Sequence, residues 1–132
     1  MYRHTLYIGL SWLPFSDGLT DRDLEQKPEV RRIKNLVLTV YGGFTAAIVD
    51  GGWQNDGTGQ VSHERTLRLE VITDSDNVLA LAEHAAAMFR LSEVIVVTER
   101  VELNRYSRPT YGKTVVTSSE SINAVESPTI TD

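Results

Sequence analysis

Residues 44–72 read FTAAIVDGGWQNDGTGQVSHERTLRLEVI, and the fold turns on them. Two strand-like segments, residues 44–50 and 65–72, flank a turn-rich middle holding Asp50-Gly51-Gly52, Asn55-Asp56-Gly57 and Gly59. Gly accepts positive φ without steric cost, and Asn and Asp tolerate it better than most, so the middle predicts a long hairpin loop. In the second strand Leu67, Leu69 and Val71 point one way, with Thr66, Arg68 and Glu70 the other. That alternation belongs to a sheet with one buried and one wetter face.

Upstream, Leu6, Ile8 and Leu10 alternate with Thr5, Tyr7 and Gly9, which predicts a strand over residues 3–11. Pro14, Ser16, Asp17 and Gly18 then break regular structure. Thr20 or Asp21 is placed to cap a helix, and Pro28 fits a first helical turn, where its missing N–H does no harm. Val30, Ile33, Val37 and Val40 follow at helical spacing, and Gly42 and Gly43 supply a C-cap. Downstream, Asp74, Ser75 and Asp76 are N-cap candidates for a second helix reaching about Arg90. Its apolar stripe is Val78, Leu81, Ala82, Ala85, Met88 and Phe89. Residues 92–103 form the last strand. The apolar run 94–97 predicts a central position, or an outer face covered by a neighbouring subunit.

The order is β-α-β-β-α-β. It predicts an α+β, ferredoxin-like domain over residues 1–105, with two helices on one face of an antiparallel sheet. Covering the other face by self-association is the physical remedy for an apolar sheet, so a homo-oligomer is expected. Residues 106–132 are rich in Ser and Thr. They read as a flexible tail, with one edge strand over residues 111–117.

Bulk composition narrows the function. The 132 residues suit one domain with a modest core. A net charge of −5 argues against a nucleic-acid partner, which needs clustered Lys and Arg. The absence of Cys removes disulfides, thiolate catalysis and cysteine metal sites, and it suits a reducing cytoplasm. No run approaches the roughly 18 apolar residues of a membrane span.

No nucleophile elbow, phosphate loop or dinucleotide fingerprint is present, and His4, His63 and His84 lack metal-ligand spacing. Arginines and aromatics carry the remaining signal. Arg65, Arg90 and Arg105 suit a phosphate or pyrophosphate, Trp53 or Phe89 suits stacking on a base, and Glu64 suits ribose hydroxyls or orienting an arginine. For Phe89 core packing competes with a binding role, and for Arg90 so does a charge at a helix C-terminus. These residues imply capture of a nucleotide-derived ligand, with no catalytic residue, cofactor or metal. An assembly module without a ligand is the alternative. A cofactor-free enzyme would require His63 or His4 to face an apolar pocket.

LYIGLS at residues 6–11, GFTAAIVDGGW at 43–53, the acidic turn before His63-Glu64-Arg65, and FRLSEVIVV at 89–97 together resemble small α+β proteins of phages and bacteria. They are similar to the phage Thoeris anti-defence protein 1 family, over about residues 6–103. That pattern has Gln where this chain has Ser92. The resemblance implies a non-enzymatic sponge in the host cytoplasm that sequesters a cyclic ADP-ribose isomer.

Overall fold

A computed structural model of the chain describes residues 1–13 and 18–109. The chain divides into two units, Met1–Val101 and Glu102–Asp132. The first holds every described helix and strand: β1 (Tyr2–Gly9), α1 (Asp21–Glu25), α2 (Pro28–Tyr41), β2 (Thr45–Gln54), β3 (Val61–Thr73), α3 (Leu79–Met88) and β4 (Ile95–Arg100). The expected edge strand at 111–117 and the tail beyond it lie outside the described residues.

The sheet runs β2-β3-β1-β4, antiparallel throughout. This is the ferredoxin-like α+β arrangement. Leu69 of β3 sits opposite Leu6 of β1 and Ala46 of β2, and Leu67 sits opposite Ile8 and Ile48. Strand side chains alternate between faces, so these rows share one side. There they meet Leu24 of α1, Val30, Ile33 and Val37 of α2, and Val78, Leu81, Ala85 and Phe89 around α3 in a single core. No strand residue of the opposite face joins that core.

The first helical region is two helices. Thr20 caps α1 in a capping box: its hydroxyl accepts from the Asp23 N–H, and the Asp23 carboxylate accepts from the Thr20 N–H. The bond from the Thr20 backbone, then that from its hydroxyl, hold the Asp23 carboxyl below the ordinary aspartate range. A lowered folded pKa stabilises above the ordinary range, and the benefit is lost as pH falls through the lowered value. Pro28 then opens α2, which ends on Gly42 at φ +83° with its N–H bonded to the Leu38 carbonyl. Val40, placed by periodicity on the apolar stripe, is exposed.

Three other expectations change. The hairpin loop shrinks to residues 55–60, where Asn55 Oδ1 accepts from the Gly57 and Thr58 N–H groups. Asp50, Gly51, Gly52 and Trp53 are therefore strand residues, paired with Arg65, Glu64, His63 and Ser62. Asp74, Ser75 and Asp76 do not cap α3. The cap position is Val78, and Asn77 Oδ1 accepts from the Leu79 N–H one residue further on. Finally β4 lies at an edge of the sheet and not at its centre, with Ile95 and Val97 exposed on the face away from the helices.

His4 is fully buried on the helix side of β1. Its Nε2 is 2.8 Å from the Ser75 carbonyl and 3.2 Å from Thr73 Oγ1, while Nδ1 is 2.9 Å from Thr98 Oγ1. A carbonyl only accepts, so Nε2 carries the proton and Nδ1 accepts from Thr98 in the neutral ring. His4 thus joins β1, β4 and the turn leading into α3. His4→Ala is expected to destabilise the fold by about 2 kcal/mol, read by urea denaturation. A loss below about 0.5 kcal/mol would assign His4 no structural weight.

Candidate functional site

The site forms where β1 stops. Gly9 pairs with Thr66, and beyond that point β2 and β3 continue as a two-stranded ribbon. Glu64 lies two residues past Thr66 on the same face, with no β1 residue paired to it. Its side chain folds back over β1: a Cβ built on Gly9 would lie 2.7 Å from Glu64 Oε1 and 2.9 Å from Oε2. A side chain at position 9 would displace that carboxylate from this place. Among the described residues Glu64 has no hydrogen-bond or ion-pair partner.

Glu64 is the shared wall of two clefts. The larger, about 480 Å³, opens between the ribbon and α1 and is lined by Leu10, Leu24, Asp50, His63, Glu64 and Arg65, among others. Arg65 donates to Asp21 of α1 at 3.2 Å there. The second cleft, about 320 Å³, is lined by Tyr7, Gly9, Trp53, Glu64, Glu93 and Ile95, among others. Among the described residues its lining includes two carboxylates and no Lys or Arg. Gly51 repeats the device of Gly9: a Cβ there would lie 2.6 Å from Thr66 Oγ1 and 3.3 Å from Trp53 Nε1. Glycine inside a strand marks close approach by another group.

The residues singled out in the sequence are thus dispersed. Glu64 and Arg65 share the larger cleft, and Trp53 joins Glu64 in the second. Phe89 is 2% exposed and packs in the core. Arg90 lies with Phe89, Trp12 and Glu29 on a separate cleft of about 90 Å³. Arg105 is exposed and belongs to the second unit. His63, on the helix side of the ribbon, faces the same cleft as Asp50 and Arg65. Tyr7, Gly9, Gly51, Thr66 and Glu93 were not among the expected site residues. Gly9 and Gly51 carried a signal, because each falls in a strand where a side chain would normally pack.

Chemically, the two clefts offer carboxylates, one arginine tied to an aspartate, one histidine and two aromatic side chains. That set suits a ligand with an aromatic ring and positive charge. Among the described residues it gives a pyrophosphate only Arg65 as a cationic anchor. No group of three or more His, Cys, Asp or Glu able to hold a metal ion occurs among the described residues. Among them, no helix is long and apolar enough to cross a membrane.

No known family matches the chain, and no curated protein matches it in sequence. Solved structures do. A phage SAM lyase in complex with S-methyl-5′-thioadenosine superposes with a TM-score of 0.51 at 15% identity, over 74% of this chain and 79% of that one. The apo state of a phage SAM lyase gives 0.49 at 16% identity, over 74% and 78%. At such identity the likeness is one of fold.

Arg90 supplies a local test. It stands at φ +56°, the one non-Gly residue with positive φ among those described. It closes α3 in a Schellman turn, with the Leu91 N–H bonded to the Ala86 carbonyl at 2.8 Å. Left-handed backbone costs an L-residue about 1–2 kcal/mol, and glycine at this turn position avoids it. Arg90→Gly is therefore expected to raise stability by about 0.5–1 kcal/mol in thermal or urea denaturation, net of glycine's greater unfolded freedom. A destabilised variant would show that the Arg90 side chain holds the turn.

Proposed function

We propose that this protein binds a small, positively charged adenine nucleoside of the S-adenosylmethionine class in the clefts that share Glu64. The observation that carries this reading is the Glu64 carboxylate. It is seated over Gly9, has no protein partner among the described residues, and faces a cleft whose other charged residue is Glu93. A carboxylate without a protein cation is placed to meet one on a ligand. Trp53 and Tyr7 line the same cleft and supply aromatic surface for a flat base. A sulfonium nucleoside presents both features at once. The fold likeness to a SAM lyase bound to S-methyl-5′-thioadenosine supports the same ligand class.

The chemistry expected at such a site needs little from the protein. A sulfonium is already a leaving group. The ligand's own carboxylate attacks the side-chain carbon as its bond to sulfur breaks; the electron pair goes to sulfur, and a neutral thioether and a lactone leave. Holding one conformer and excluding water supply the protein's part.

A second reading rests on Arg65, whose guanidinium lines the larger cleft. With Trp53 nearby on the ribbon, it supports sequestration of a cyclic ADP-ribose isomer, as the likeness to Thoeris anti-defence protein 1 implies. In that case the ligand is anionic, and Asp50 and Glu64 oppose it.

The two separate on charge. Purified protein is titrated with S-adenosylmethionine, S-methyl-5′-thioadenosine and cyclic ADP-ribose isomers by calorimetry, with released products read by mass spectrometry. Native spectra also read the homo-oligomer expected from the open sheet face. Glu64→Gln is expected to weaken S-adenosylmethionine binding by about tenfold, roughly 1.4 kcal/mol, and to leave the neutral thioadenosine nearly unchanged. Tight binding of cyclic ADP-ribose alone, lost in Arg65→Ala, would replace this proposal with sequestration.

A further inference from the structure

Thr66 lies on the face away from the helices, between Gly9 of β1 and Val49 of β2. It is 1% exposed, and its hydroxyl has no hydrogen-bond partner among the described residues. Buried hydroxyls are rarely left unpaired, and one that is calls for a physical cause. The surroundings supply it. Thr66 Oγ1 and Trp53 Nε1 crowd the same small space above the Gly51 backbone, 2.6 and 3.3 Å from where a Cβ would be. A hydroxyl that could meet a ligand is thus shut away beside an indole.

Trp53 itself is poorly anchored. It is 40% exposed, lines the second cleft beside Glu64, and pairs with Ser62 on the ribbon beyond the last β1 pairing. Among the described residues no hydrogen bond or ring contact holds its indole.

We infer that Thr66 Oγ1 is a binding group for the base of the ligand, and that Trp53 is its exchangeable cover. On binding, the indole leaves Gly51 and the flat base takes its place over the glycine backbone. The exocyclic amine of the base then donates to Thr66 Oγ1. One ring replaces another, so little apolar contact is lost, and the hydroxyl gains the partner it lacks. Gly51 is what allows a ring to approach the strand this closely. This inference rests on the adenosyl ligand proposed above and adds the subsite that reads its base.

The chain has two tryptophans, so a Trp12→Phe background leaves Trp53 as the only indole. In that background, Trp53 emission and affinity are measured with S-adenosylmethionine, S-methyl-5′-thioadenosine and the thioadenosine analogue whose purine carries only hydrogen in place of the amine. Binding of the adenosyl ligands is expected to shift Trp53 emission. Thioadenosine is expected to bind about tenfold more tightly than the unsubstituted purine analogue, because that analogue leaves the hydroxyl without a partner. Thr66→Val should abolish that preference, and Thr66→Ser, which keeps the hydroxyl, should retain it. A folded Thr66→Val protein with wild-type preference, or saturation without change in Trp53 emission, overturns the subsite and leaves the ligand class standing. Failure of the parent protein to bind any adenosyl ligand overturns both.

Discussion

The alternation of β3 is the constraint on which the rest of this molecule depends. Leu67, Leu69 and Val71 face the helices, and every pairing partner takes its face from them. A one-residue slip would carry that row to the other face and bring Arg68 and Glu70 into the core. Burial of three large side chains that are at most 1% exposed makes such a slip prohibitive. The register that results also fixes the site. Counting outward along β3 from Leu67, Thr66 falls opposite Gly9, and Glu64 falls just past the end of β1. The place of the candidate carboxylate is therefore a consequence of core packing three residues away, at Leu67.

The site arises from omissions as much as from side chains. β1 ends while β2 and β3 go on, which leaves a ribbon with room on both sides. Glycines at positions 9 and 51 remove the side chains that would otherwise fill the strand surface. Glu64 and the Trp53–Thr66 pair occupy the space they leave. Acidic groups then dominate. Asp50, Glu64 and Glu93 line the clefts, and the cation of Arg65 is shared with Asp21. This balance turns the electrostatics towards a cationic ligand. From residue types alone the arginines suit a pyrophosphate; a sequence shows that Arg65 exists but not that Asp21 holds it.

The fold was legible wherever one period dominated. Residues 65–72 alternate cleanly, and residues 30–37 recur at helical spacing, and both segments appear as read. The misreadings share a cause, which is that local chemistry was overruled by pairing. Asp50-Gly51-Gly52 has turn chemistry, yet opposite His63, Glu64 and Arg65 it continues the ladder. Asp74, Ser75 and Asp76 have cap chemistry, yet Thr73 and Ser75 spend their side chains on the turn itself, and it is Asn77 whose Oδ1 accepts from the Leu79 N–H. The apolar run 94–97 implied a central strand or a face covered by a neighbouring subunit; the first does not hold, because β4 lies at an edge of the sheet, with Ile95 and Val97 exposed. Of the site, Trp53, Glu64 and Arg65 were visible as unusual residues beside a hairpin. Gly9, Thr66 and Glu93 were not, because their roles exist only once β1, β3 and the segment before β4 are brought together.

The central claim is that Glu64 meets a positive charge on a bound adenosyl ligand. A crystal structure of the protein soaked with S-adenosylmethionine tests it most directly. The sulfonium is expected within about 4 Å of the Glu64 carboxylate, where opposite charges still attract strongly. A ligand seated with its charged group on Arg65 and away from Glu64, or one bound elsewhere on the fold, would contradict it.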